Sequence, residues 1–443
     1  MKAYLLCGLM VAWTLLGTRA GFAQKATFYR DVQPLIHTNC AVCHRPGEAA
    51  PFSLISYEDV SKRSKFIRKV INSGYMPPWR ADDHYVDFAN KRSLTAEQIK
   101  TITDWIDNDM PKGKVNTEAE TALQKRTQAG TAYHRVPDLT LSMPKPFVQK
   151  GDGVERFMVF KIPFELAEAM NVEALEFTSS NKKVIHHANF AIHPVEDPAI
   201  SLTQSIDQVD LNSADSWRYQ EWMPYKKKMT YYGGWIPGAS PESYPKGMGW
   251  VMPKRGVVLL TVHFAPTGKD EETISGVNFF FKKEPIRRTV NVISLGSGGI
   301  GEKEITPPLF LFGGDVKTCS LKVAYRNKPI TLLYAWPHMH QIGKEFTAYA
   351  TRTEGDTLPL VHIPQWDFRW QELYRYKKPV IVPTGSTVHV IGKYDNTDEN
   401  PMNPFKPAKL ITSDGNMRSD QEMMTLILVY ITYEPGDESL RFD

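Results

Sequence analysis

The spacing of apolar and polar positions changes character twice along the 443 residues. From 25 to 112 it is helical. Phe28, Val32, Leu35 and Ile36 recur as one buried helix face would require. A second helix is predicted to begin at Thr95, whose hydroxyl can cap the Gln98 amide while the Gln98 side chain returns to the Thr95 amide, with Leu94 stapled to Ile99. Ile99, Ile102 and Ile106 form its inner stripe, and Pro111 with Gly113 ends it. Residues 113–136 lose nearly all large apolar side chains and read as a linker. From Pro137 onward, short runs rich in Val, Ile, Phe and Thr alternate with Pro, Gly and Asp turns. Examples are Phe157–Ile162, Val257–Phe264, Val277–Phe281 and Val388–Ile391. Roughly 300 residues of this kind exceed one sandwich. The expectation is a multidomain chain: a small all-α domain over 25–112, then two all-β, jelly-roll-like sandwiches over 137–283 and 284–443, divided near Lys283-Glu284-Pro285.

Composition adds a compartment. Hydrophobic content of 42% and charge of 23% are ordinary for globular protein. Residues 1–23 read as an export signal: Lys2, an apolar run from Ala3 to Leu16, and Gly21-Phe22-Ala23 as a small-x-small cleavage site. The formal charge of +4 is nearer +2 once Lys2 and Arg19 are set aside, which gives no footing for nucleic acid. No later stretch has the ~20 consecutive apolar residues of a membrane span. The expected product is periplasmic or secreted. Cys7 lies in the signal, and Cys319 reads as a small buried hydrophobe.

Cys40-Ala41-Val42-Cys43-His44 is the attachment signature of one covalent haem c: both thiols add to the vinyl groups and His44 is the proximal ligand. With four cysteines in the chain, a zinc site lacks ligands. Met76, in Tyr75-Met76-Pro77-Pro78-Trp79, is the candidate second axial ligand, with core filling as the bland alternative and Met110 as a weaker rival. The arrangement resembles a compact class I cytochrome c.

Five of the 12 histidines fall in three informative contexts: His186-His187, His263 and His338-Met339-His340. Side chains two apart on a strand share a face, so His338 and His340 can chelate one metal. Using both His186 and His187 on one ion needs a bulge or bend, and His263 can complete a three-imidazole site. Gln421-Glu422-Met423-Met424 can bring a thioether to the His338/His340 pair. Imidazole suits copper, zinc and iron alike, and a thioether favours copper.

These residues, in this order, resemble the copper type II, ascorbate-dependent monooxygenases, the family of peptidylglycine α-hydroxylating and dopamine β-monooxygenases. The match is carried by His186-His187, His263, His338-Met339-His340-Gln341-Ile342-Gly343-Lys344 and Glu422-Met423. The resemblance implies two copper ions. It gives His186, His187 and His263 to an electron-storing copper. It gives His338, His340 and Met423 to the catalytic copper that activates O2, with Met424 one register away. It also implies hydroxylation of an aliphatic C–H in a small-molecule substrate, with ascorbate or a redox protein as electron donor. Peptide-amidating members carry Arg two residues before the His-x-His pair, and Asn and Tyr two and four residues after the ligand methionine. Trp336, Thr425 and Ile427 stand here instead, which disfavours a carboxylate-bearing peptide. The haem motif, foreign to those two enzymes, suggests electrons relayed from haem to copper. The competing expectation is a non-catalytic electron-transfer or copper-binding protein.

Overall fold

The computed structural model describes residues 25–115, 117, 133, 135–413 and 418–441. The predicted signal over 1–23 and most of the predicted linker over 113–136 lie outside these residues.

The fold class departs from expectation. Among the described residues the chain is mostly β, with 37% strand and 14% helix, and these form no all-α domain. Among the described residues up to 113, helix is confined to Phe28–Val32, Gln33–Asn39, Tyr57–Ser61, Ser64–Asn72 and Ala96–Asp107. The capping box at Thr95 is present in both directions, Gln98 N–H to Thr95 Oγ1 at 3.2 Å and Thr95 N–H to Gln98 Oε1 at 2.9 Å. The inner stripe differs: Ile102 and Trp105 are the buried residues of that helix, while Ile99 and Ile106 are packed at its edge. The physical reason for the wider departure lies between the helices. The segment after Met76 leaves the helical cluster and joins the β region. Ala89 N–H donates to Arg375 O at 2.8 Å, Phe88 bridges Tyr376, and Ala81 and Phe88 are buried with the strands of the second half. Their apolar surface is covered by sheet, not by helix.

Among the described residues the β region likewise forms several small sheets, of six, five, four, four, two and two strands. The predicted runs fall within Arg156–Glu165, Arg255–Phe264, Ser275–Phe281 and Thr387–Asp395. In the five-stranded sheet, Arg255–Phe264 is central, flanked by Arg156–Glu165 and Ile185–Pro194, with Tyr231–Trp235 outside the latter. In one four-stranded sheet, Thr425–Thr432 lies between Asn291–Gly296 and Ile330–His338. One buried cluster runs through both, since Leu333, Tyr334, Val429 and Ile431 pack with Phe190, Val258 and Leu260. The β region is thus a set of small sheets and not the expected pair of jelly-roll sandwiches. Among the described residues no helix is long and apolar enough to cross a membrane.

Candidate metal centre

His263 lies directly opposite His187 in the antiparallel ladder, but the next pair is Phe264 with Ile185, so His186 is the extra residue of a bulge. In a regular strand His186 and His187 would face opposite ways. Here their Nδ1 atoms lie 3.1 Å apart. With His263 they form a group whose ligand atoms all lie within 4.8 Å of one another. Phe157 stacks on His263 with ring centroids 3.9 Å apart. Glu155 Oε2 approaches His263 Nε2 at 3.3 Å but out of line for a hydrogen bond, so both ring nitrogens of His263, 1% exposed, stay unpartnered. Buried nitrogens are rarely left so. Burial, and then the His263 ring, push the His186 imidazole down to about 3 and His187 well below its usual range. Burial raises the Glu155 carboxyl, but His263 and Ser419 more than offset that and its net shift is downward.

The second group forms where Ile330–His338 ends. The Gln371 amide is oriented by its Nε2–H, which donates to Phe368 O at 2.8 Å. Its Oε1 therefore accepts from His338 Nδ1. His340 Nδ1 faces Gln421 O at 3.1 Å and must carry its proton there. Burial lowers His338 to about 4, and burial with the neighbouring His338 lowers His340 well below its usual range, so both rings are neutral. A neutral imidazole has one N–H. With that proton on Nδ1, the two Nε2 atoms, 3.1 Å apart, meet lone pair to lone pair. A separation of this size suits two ligands of one ion with bonds of about 2 Å. Glu422 pins the turn by accepting the N–H groups of His340 and Ile342, each at 2.9 Å, and burial pushes its carboxyl up to about 8. Met424 is fully buried in the second core cluster, whereas Met423 lines a cavity with His338.

The two groups abut. The His187 and His338 ring centroids are 6.4 Å apart. Phe368 stacks on His186 at 5.0 Å and reaches His340 at 5.7 Å, so it touches both. Neither Phe368 nor Gln371 was legible from sequence, because each comes from an irregular loop with no periodicity. Asp367 of the same loop pairs with Arg80 at 3.2 Å, which ties it to the segment following Met76.

Cys40, Cys43 and His44 occupy the turn after Gln33–Asn39, where His44 N–H bonds Cys40 O at 2.9 Å. Both thiols are free, and burial pushes Cys40 up to about 12. His44 Nδ1–H donates to Phe52 O at 3.0 Å, which leaves the ring's lone pair on Nε2. Met76 is half-buried in the loop after Ser64–Asn72, outside the cluster built on Phe28, Ile36 and Trp105. The motif abuts the β region: a Cβ on Gly238 would strike Cys43 Sγ. Glu48, four residues past His44, pairs at 3.1 Å with Lys182, four residues before His186.

A cavity of about 430 Å³ opens beside His338 and Met423. One wall is the strand face that continues from His187 through Asn189, Ala191 and His193. The lining also includes Trp336, Thr425 and Ile427, the three positions at which the sequence departs from the amidating enzymes.

No protein-family model matches this chain, and no curated protein does. Among solved structures it is similar to the infectious bursal disease virus Gx strain, at 11% identity and a TM-score of 0.18 over 68% of this chain and 73% of that one. The VP2 subviral particle of the same virus gives 10% identity and a TM-score of 0.16 over 67% and 79%. Scores this low carry no argument about fold or function.

Proposed function

We propose that this protein is an exported haem c- and copper-dependent monooxygenase that hydroxylates an aliphatic C–H bond of a small organic substrate. The observation that carries the reading is the pair of neutral, buried imidazoles of His338 and His340. Their protons are held outward on Gln371 and Gln421, and their facing lone pairs lie 3.1 Å apart. Such a pair repels unless a cation sits between, and an imidazole whose far nitrogen is anchored is how metal sites fix their ligands. The unpartnered nitrogens of His263 fit the same conclusion for His186, His187 and His263. Of the metals imidazole suits, copper is favoured by the thioether of Met423.

Copper bound in the two groups would supply one-electron storage and activation of O2. The chain's own part is to hold and exclude. Gln371 and Gln421 keep the protons of His338 and His340 off the coordinating nitrogens. Glu422 fixes the turn between them, and Phe368 closes the space over both groups, itself 5% exposed. The cavity shields the substrate from bulk water and presents its C–H bond beside His338 and Met423. Cys40, Cys43, His44 and Met76 would hold the haem, with Glu48–Lys182 docking that turn close to the His186 strand, so that electrons from ascorbate or a redox protein enter through haem.

Metal analysis of reconstituted protein with oxygen-uptake measurement tests this. One haem and two coppers per chain are expected, with one copper lost in His338→Ala. Protein that takes up no copper sinks the proposal, and two coppers without substrate-dependent uptake points to an electron carrier.

A further inference from the structure

The substrate cavity carries its own chemical signature. Its lining is chiefly apolar, and the polar groups nearest the metal ligands are already engaged. Thr425 Oγ1 donates to Ser297 O at 2.8 Å, Ser297 Oγ accepts Met424 N–H at 3.1 Å, and Trp336 Nε1 donates to Gln371 O at 3.1 Å. The charged lining residues stand toward solvent: Lys226 is half-buried with Nζ on the Tyr219 hydroxyl, and Glu302 is exposed.

Asn189 is different. It is 6% exposed and lies opposite Thr261, one step along the same strand face from the His187–His263 pair. Its Nδ2 donates to the Tyr232 hydroxyl at 2.9 Å, and its Oδ1 has no partner. An acceptor buried without a donor costs about 1–3 kcal/mol, and a ligand that supplies the donor recovers much of that.

We infer that the cavity binds a neutral, mainly apolar molecule bearing one hydrogen-bond donor, an alcohol, phenol or amide N–H, which donates to Asn189 Oδ1. The assignment rests on the reading of this cavity as the substrate side of the metal centre. It makes Asn189 a specificity-determining residue, and it excludes a carboxylate, whose lone pairs would face the Asn189 oxygen with no buried cation to answer its charge. Two residues along a strand span about 6.6 Å, so the donor is held within a few carbons of the metal ligands, and the rest of the molecule runs along Ala191 and Leu259.

Calorimetric titration of the full-length, copper-free protein tests the inference apart from any catalysis. The probes are 4-phenylbutan-1-ol, its methyl ether and 4-phenylbutanoate. The alcohol is expected to bind about tenfold more tightly than the ether, the worth of one buried hydrogen bond, and the carboxylate more weakly than both. In Asn189→Leu the alcohol should fall to the affinity of the ether, while the ether changes little. Equal binding of alcohol and ether by the wild type overturns the inference without recourse to any variant, as does carboxylate binding at or above the alcohol. Copper analysis of a second portion of each preparation, after reconstitution with copper, separates the two ideas. An Asn189-dependent preference for the alcohol in protein that takes up no copper sustains the cavity and sinks the oxygenase. Two bound coppers with no such preference does the reverse.

Discussion

Gln371→Leu isolates the feature on which the metal reading depends. In the wild type the Gln371 oxygen holds the His338 proton on Nδ1, 3% exposed at the Gln371 side chain and shut off from water. Leucine is similar in volume but accepts nothing. The buried Nδ1–H would then go unpaired, at about 1–3 kcal/mol. The ring has an escape: it can carry its proton on Nε2 and donate to His340 Nε2, already 3.1 Å away. That bond recovers most of the loss, so metal-free stability should drop by only about 1 kcal/mol. The same escape places a proton on the nitrogen proposed to bind copper. Loss of an anchoring acceptor of this kind weakens metal binding by about 10–100-fold, or ~1.4–2.7 kcal/mol. Chelator-competition titration of copper and urea unfolding of metal-free protein give the two numbers. Gln371→Glu, which keeps an acceptor at Nδ1, should restore most of the affinity. The reasoning fails if Gln371→Leu folds and holds its second copper as tightly as wild type. It also fails if the His186/His187/His263 site weakens equally, which would indicate a general loss of structure.

Three further outcomes follow from other parts of the molecule. A Cβ on Gly234 would overlap the Trp336 ring, which packs on that strand and lines the cavity. Gly234→Ala should therefore cost about 1–3 kcal/mol in urea unfolding and weaken binding of 4-phenylbutan-1-ol, and unchanged values for both would refute the packing argument. Glu242, accepting from the Tyr244 hydroxyl at 2.8 Å, has its carboxyl pushed up to about 7 by burial. A raised folded-state value means its contribution is complete below the unfolded value near 4.5 and is lost as pH rises through 7, up to about 3 kcal/mol in all. Glu242→Gln should flatten the fall in unfolding midpoint between pH 5 and about 8.5, and an unaltered slope assigns that fall elsewhere. Finally, with the His187 and His338 rings 6.4 Å apart, protein loaded with Cu(II) in both groups should give an electron paramagnetic resonance intensity below its copper content. Full intensity from two independent signals would show the groups to be magnetically separate.

The legible part of this molecule was its local chemistry. Thr95 and Gln98 announce a helix start because a capping box is closed within four residues, and the runs around Phe157, Val257 and Val388 announce strands because period two needs no tertiary knowledge. The all-α domain was illegible because its failure depends on contacts across nearly 300 residues: Phe88 finds Tyr376, and Arg80 finds Asp367. Helical spacing in Phe28, Val32 and Ile36 says which face is buried, not how much chain will share that cover. The histidines stood out by spacing alone, whereas Phe368 and Gln371 owe their place to a loop whose course only the assembled sheets determine.

The strand Ile185–Pro194 shows why the site and the cavity come as one unit. His187, Asn189, Ala191 and His193 share a face because alternate residues must, and each is held by a regular pairing with Arg255–Phe264. A one-residue slip anywhere within that stretch would turn the whole row away from the cavity. The slip that does occur lies beyond His187, between the His263 and Phe264 pairings. Placed there, it adds His186 to the imidazole group and leaves every cavity-lining residue in register. The same irregularity two residues later would have turned Asn189 out of the cavity wall. The position of this bulge, more than the presence of the histidines, is what puts a three-imidazole group at one end of the strand and an unpartnered amide oxygen along its length.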